Sequence, residues 1–144
     1  MPQARDLARL PKAALHLHLE GAMRPETLIE LCEKYRIPVP DNITCTDTND
    51  NPSPKRFTDF SAFVDVYVAA CACLQMKEDV HRLVLEVAQD LKTCNVLFAE
   101  IAPSFTFYSQ YFGSMENTLK VLVDAAPEYL KREGIKGVDE WLSR

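Results

Sequence analysis

Glycine is scarce in this chain, with four residues in 144, and no stretch matches the glycine-rich loops whose backbone amides cradle phosphates. A phosphate-loop mode of nucleotide binding is therefore excluded. A basic surplus is also missing: sixteen Lys and Arg stand against twenty-one Asp and Glu, for a net charge of −5, and the basic residues are scattered. Nucleic acid and anionic membrane surfaces select clustered cations, so neither is a partner for this chain. No apolar run reaches the ~18 residues of a membrane-spanning helix. The N-terminus, with Arg5, Asp6 and Arg9, lacks the apolar core of a signal peptide. The expectation is a cytoplasmic protein. Five cysteines (Cys32, Cys45, Cys71, Cys73 and Cys94) are an odd number without the spacing of a disulfide framework. They are expected to be reduced, and Cys71-Ala72-Cys73 is expected to serve the core.

What is present is the composition of one modest globular domain, 47% hydrophobic and 26% charged. Histidine is rare, yet two of the three histidines fall in one short segment, Leu15-His16-Leu17-His18-Leu19-Glu20-Gly21. Side chains alternate faces along a strand, so a strand here points His16 and His18 the same way and packs Leu15, Leu17 and Leu19 behind them. Two imidazoles on one face either find backbone or water partners or share a metal ion, which removes the cost of burying unpaired nitrogens. Glu20 brings a carboxylate to the end of that face, and Gly21 permits a turn that other residues resist. Arg24-Pro25-Glu26-Thr27 then opens a helix, with Pro25 at its first position and Glu26 near its positive end. Strand, polar turn, helix is the unit of an α/β barrel, whose functional groups sit at the C-terminal ends of strands.

Along the rest of the chain, a helix from Pro25 to about Arg36 places Leu28, Ile29, Leu31, Cys32 and Tyr35 on one face. Residues 37–57 form a long loop with a polar centre, Thr44 to Asn51, which either covers a site or is disordered. Phe57 to about Gln75 reads as a helix whose aromatic face carries Phe57, Phe60, Phe63, Val64, Tyr67 and Val68, expected in the first instance to be a core face. A further helix, Lys77 to Thr93, has Val80, Leu83, Val84, Val87 and Leu91 at helical spacing. His81 lies off that stripe, at the surface or a boundary. Val96 to Ala102 reads as a buried parallel strand; its Glu100 must face a polar interior or a buried partner. Ser104 to Tyr111 is an aromatic and polar loop. Ser114 caps a helix from Met115, which Pro127 should break or kink and Gly134 should stop.

The run "PKAALHLHLEGAMRPETL" and the helix it opens, from Pro11 to Leu31, resemble the opening strand and first helix of the adenosine deaminase family. Asn95 to Ile101 resembles that family's second barrel strand, more weakly, and the likeness spans roughly residues 10–134. The resemblance implies an α/β fold, a partial (β/α)8 TIM-type barrel of amidohydrolase type. It would hold about the first two βα units plus extra helices, not closed. It also implies one zinc ion and hydrolytic replacement of the 6-amino group of adenosine, with release of ammonia. His16 and His18 would be two zinc ligands. Glu20 aligns with an acidic residue, usually Asp, that positions the sugar; some relatives acting on adenine carry Glu there, so the small-molecule purine is adenosine or adenine. With Gly21 beside it, and Phe57, Phe60 and Val64 matching a hydrophobic helix that gates the purine pocket, these residues make up the implied substrate site.

The family's third histidine ligand, the His-x-Gly-Glu segment with its proton-donating Glu, a further histidine and a late Asp-Asp have no counterpart in this sequence, so no catalytic residue is assigned. A complete barrel of this kind takes about 250 residues. Residues 1–144 are expected to be a single N-terminal fragment, with an incomplete zinc site and a divergent tail at 137–144 too polar for a buried strand. Such a chain is inactive alone, or is a non-catalytic module that binds or dimerises through an exposed sheet edge. A cytidine-deaminase-type reading of His18-Leu19-Glu20 lacks its Pro-Cys-x-x-Cys partner.

Overall fold

The computed structural model describes residues 7–43, 57 and 59–137. Two parallel strands, β1 (Lys12–Leu17) and β2 (Val96–Ile101), lie side by side. The crossover between them contains α1 (Pro25–Tyr35), α2 (Phe60–Ala72) and α3 (Lys77–Thr93), and α4 (Met115–Arg132) follows β2. Strand, helix, strand, helix with parallel strands is the repeat of a barrel wall, so the expected open piece of a (β/α)8 barrel is what forms. None of the helices among the described residues is long and apolar enough to cross a membrane.

The helix ends follow local chemistry. α1 starts on Pro25 and ends at Arg36 in the left-handed region (φ 55°), where Ile37 N–H returns to Cys32 O at 2.9 Å. α4 starts where Ser114 Oγ accepts from Asn117 N at 3.1 Å. It closes with Gly134 at φ 77°, its N–H on Lys131 O at 3.0 Å and Ile135 N–H on Leu130 O at 2.8 Å, a Schellman pair. Of the expected break or kink at Pro127, the break does not occur: the proline lies inside α4. Leu122 and Ala125 before it and Leu130 after it are all buried, and packing of that stripe carries the helix through the missing N–H.

α3 and α4 pack on each other, and the core runs from them through Leu19, Met23, Leu28 and Leu31 to the buried face of α2. α1 is tied to α3 by Thr27 Oγ1 donating to Glu86 Oε2 at 2.6 Å and by the Arg24–Asp90 ion pair, also 2.6 Å. Lys136 continues the sheet beyond β2: its N–H donates to Leu97 O and its carbonyl accepts from Ala99 N, both at 2.9 Å. A Cβ at Gly137 (φ 127°) would lie 2.2 Å from Ala99 O, so this close approach requires glycine. Of the expected tail only residue 137 is described, and of the expected loop only 37–43 and 57.

Three further expectations need correction. β1 is not a regular alternating strand through Leu19: its register with β2 shifts between Ala14 and Leu17, and His16 sits at φ 55°. The irregularity turns Leu15 outward, 67% exposed, while Leu19 is buried and Leu17 partly so. The aromatic side of α2 is a core face only in part, through Tyr67. Ala62, Val66, Ala69, Ala70 and Cys71 are buried, whereas Phe60 is 77% exposed and Phe63 and Val68 are exposed too. Small residues let α2 approach the core closely, which leaves Phe60 and Phe63 outside while Tyr67, partly buried, still packs against it. Finally, the turn at Glu20–Ala22 does not draw on glycine's freedom: Gly21 has no positive φ, and a Cβ there would meet Tyr67 Cε2 at an ordinary 3.6 Å.

Candidate metal and purine site

The β1 irregularity brings the two histidines together by a route the simple alternation did not require. His16 lies in the bulged end of β1 and His18 just past it, and their rings meet edge to face with centroids 4.9 Å apart. Both are exposed at the C-terminal end of the strand. Behind them the chain tightens into the turn Glu20–Ala22, which carries Glu20 fully into the interior.

A buried carboxylate is costly unless its lone pairs are filled. Glu20 Oε1 accepts from Ser104 N and from Tyr108 Oη, each at 2.8 Å, and Oε2 accepts from Tyr67 Oη at 3.2 Å. One carboxylate thus joins the end of β1, the middle of α2 and the segment after β2. Burial pushes the Tyr67 hydroxyl up to about 12, opposed by the Ser104 hydrogen bond and reinforced by the Glu20 charge. Tyr108, fully buried, is raised further for the same two reasons, burial and Glu20. Both phenols remain donors at neutral pH.

Tyr67 Oη also lies 2.6 Å from Ser104 Oγ and 3.4 Å from His18 Nδ1, and Ser104 Oγ lies 3.5 Å from the same nitrogen. From Tyr67 a run of rings leads outward along α2. Tyr67 and Phe63 are 5.9 Å apart, Phe63 lies 5.9 Å from Phe60 and 5.3 Å from Phe57, and His18 stands 6.1 Å from Tyr67. The structure therefore joins His16, His18, Phe57 and Phe60 through Tyr67 and Phe63; Val64 is half-buried on the same helix, and Gly21 lies against Tyr67. Glu20 is inside the protein, so its reach to a ligand runs through Tyr67 and Ser104. Tyr67 was legible only as one member of an aromatic face, and Ser104 and Tyr108 only as loop residues. The signal that could have singled out Ser104 is its place just beyond the C-terminal end of β2.

Imidazole nitrogens are common zinc donors, and Nδ1 is the His18 nitrogen that Tyr67 Oη approaches. The set is half of a tetrahedral one: among the described residues no three His, Cys, Asp or Glu side chains gather to hold a metal. The remaining histidine, His81, is engaged with Tyr129 Oη at 3.2 Å. An apolar cavity of about 230 Å³ lies elsewhere, between Val84 and Val87 of α3, Ile101 of β2 and Leu122 and Leu130 of α4. Its walls carry no side chain able to polarise a bond.

Likeness to known proteins extends over most of the chain. The family model for adenosine deaminase matches residues 11–138. Over 138 residues the chain is 37% identical to a Streptomyces virginiae protein described as an adenosine/adenine deaminase, covering 94% of this chain and 40% of that one. It is 31% identical to the adenine deaminase of Wolinella succinogenes, with the same coverage of each. The crystal structure of the Arthrobacter aurescens adenine deaminase superposes with a TM-score of 0.64 at 24% identity, over 87% of this chain and 37% of that one, a likeness of fold. The chain thus spans about two fifths of the length of the curated relatives it matches.

Proposed function

This chain belongs to the adenosine deaminase family, and we propose that it carries the first part of a zinc-dependent, cytoplasmic 6-aminopurine deaminase site. His16 and His18 would hold the zinc, His18 through Nε2. Zinc, when bound, supplies the Lewis acidity that makes water a competent nucleophile near neutral pH. Phe57, Phe60 and Val64 offer an apolar wall for the flat face of a purine, Gly21 lies against Tyr67 beside it, and Glu20 holds Tyr67 and Ser104 at its floor. The observation that carries this reading is the contact of the His16 and His18 rings at the C-terminal end of β1. Relatedness does not narrow the purine: relatives include adenine deaminases and an aminodeoxyfutalosine deaminase of Streptomyces avermitilis, 36% identical over 95 residues.

With half a ligand set and no carboxylate assigned to protonate the ring, the 144-residue chain alone binds zinc weakly and does not deaminate. Zinc titration against a chromophoric chelator, with His16→Ala and His18→Ala as controls, tests the site; uptake indifferent to both substitutions would reject it. Ammonia release from adenosine or adenine by the chain alone would reject the inactivity. A second reading, a module that pairs with another copy through its sheet, is favoured by Leu15 and Leu97, which are 67% and 51% exposed on the two strands. Sedimentation as a concentration-independent monomer would count against it.

A further inference from the structure

The geometry points to Tyr67 and Ser104 as positioning residues that set the tautomer of His18, holding the proton on Nδ1 and presenting the Nε2 lone pair outward. This rests on the metal reading of the histidine pair. A neutral imidazole has one N–H and one lone pair, and the hydrogen bond made by one nitrogen decides what the other can do. Among the described residues two oxygens approach His18 Nδ1, Tyr67 Oη at 3.4 Å and Ser104 Oγ at 3.5 Å. Which of them can offer a proton is decided one step further back.

Glu20 is that step. Its carboxylate is buried and can only accept, and the O–H of Tyr67 is one of its three donors. A hydrogen bond to a charged acceptor outcompetes one to a neutral ring nitrogen, so the Tyr67 proton goes to Glu20. Ser104 Oγ, 2.6 Å from Tyr67 Oη, then gives its own proton to the tyrosine oxygen. Both hydroxyls are left with lone pairs toward His18, and Nδ1 must supply the proton. The order is His18 Nδ1–H to Tyr67, Tyr67 O–H to Glu20, across residues 47 and 49 apart in sequence. No proton changes owner in this arrangement; it selects one of two neutral forms. Partners of this kind are worth about 10–100-fold in metal affinity.

The test uses the full chain, ¹⁵N-labelled and stripped of metal, at pH 8, where an unperturbed imidazole is neutral. Long-range ¹H–¹⁵N spectra should show His18 with a protonated Nδ1 and an unprotonated Nε2. Tyr67→Phe and Ser104→Ala should each move His18 toward a mixture of tautomers, leave His81 unchanged, and weaken zinc binding about tenfold or more. Ser104→Ala keeps the main-chain N–H on Glu20, so it remains informative if Tyr67→Phe folds poorly. A wild-type His18 protonated on Nε2, or a tautomer indifferent to both substitutions, overturns the positioning role even where zinc uptake depends on His18. Zinc uptake indifferent to His18→Ala overturns the metal reading and the positioning role with it.

Discussion

Tyr108→Phe is the sharpest test of how the interior of this site is held. The side chain is fully buried, and the substitution removes one oxygen while keeping the ring, so almost no apolar area changes. What is lost is the 2.8 Å hydrogen bond to Glu20 Oε1, leaving a buried carboxylate with two donors where it had three. Hydrogen bonds to charged groups contribute about 1.5–3 kcal/mol each, and no water replaces the donor in a position of zero exposure. The expected loss is about 2 kcal/mol, a large share of the roughly 5–15 kcal/mol that stabilises a domain. Urea unfolding followed by far-UV circular dichroism measures it as a fall in midpoint at unchanged slope. In a Glu20→Gln background the same substitution should cost about 1 kcal/mol less, because the acceptor is no longer charged. A loss below about 0.5 kcal/mol in the parent chain, or an equal loss in both backgrounds, would refute the claim that Glu20 is a buried hub held by its donors.

The other predictions concern the phenols and the far edge of the sheet. Burial raises Tyr67 from 10.0 to about 12, and a group raised in the folded state contributes stability that is whole below its unfolded value. That contribution is lost as pH rises from about 10 to about 12, so tyrosinate absorbance at 295 nm should lose amplitude near pH 12, and not near pH 10, in Tyr67→Phe. Gly137→Ala should drive a methyl into Ala99 O and release the Lys136 pairing, seen as faster amide exchange at Ala99 and Lys136 with the α3–α4 core still protected. Unchanged exchange at Ala99 would show that the approach tolerates a side chain.

Much of this architecture is local enough to be read directly. Pro25, Ser114 and Gly134 act within one helical turn, and the stripe of α3 reports its own buried face, so boundaries and faces follow from neighbours in the chain. The aromatic side of α2 shows where that kind of reading stops. Period alone marks Phe60, Phe63 and Tyr67 as one face, but how far each packs inward depends on how closely the helix approaches its neighbours: the small residues opposite are buried, Tyr67 partly so, and Phe60 and Phe63 stand exposed. Pro127 is the same lesson in reverse, a local rule overridden by burial on both sides of it.

The sequence by itself determined the family, the histidine pair and the order of strands and helices, because each is written in residues a few positions apart. Only the tertiary structure decided what stands behind the pair. Tyr67, Ser104 and Tyr108 reach Glu20 from 47, 84 and 88 residues away. A buried charge selects its donors by proximity in space, and no spacing along a chain records that.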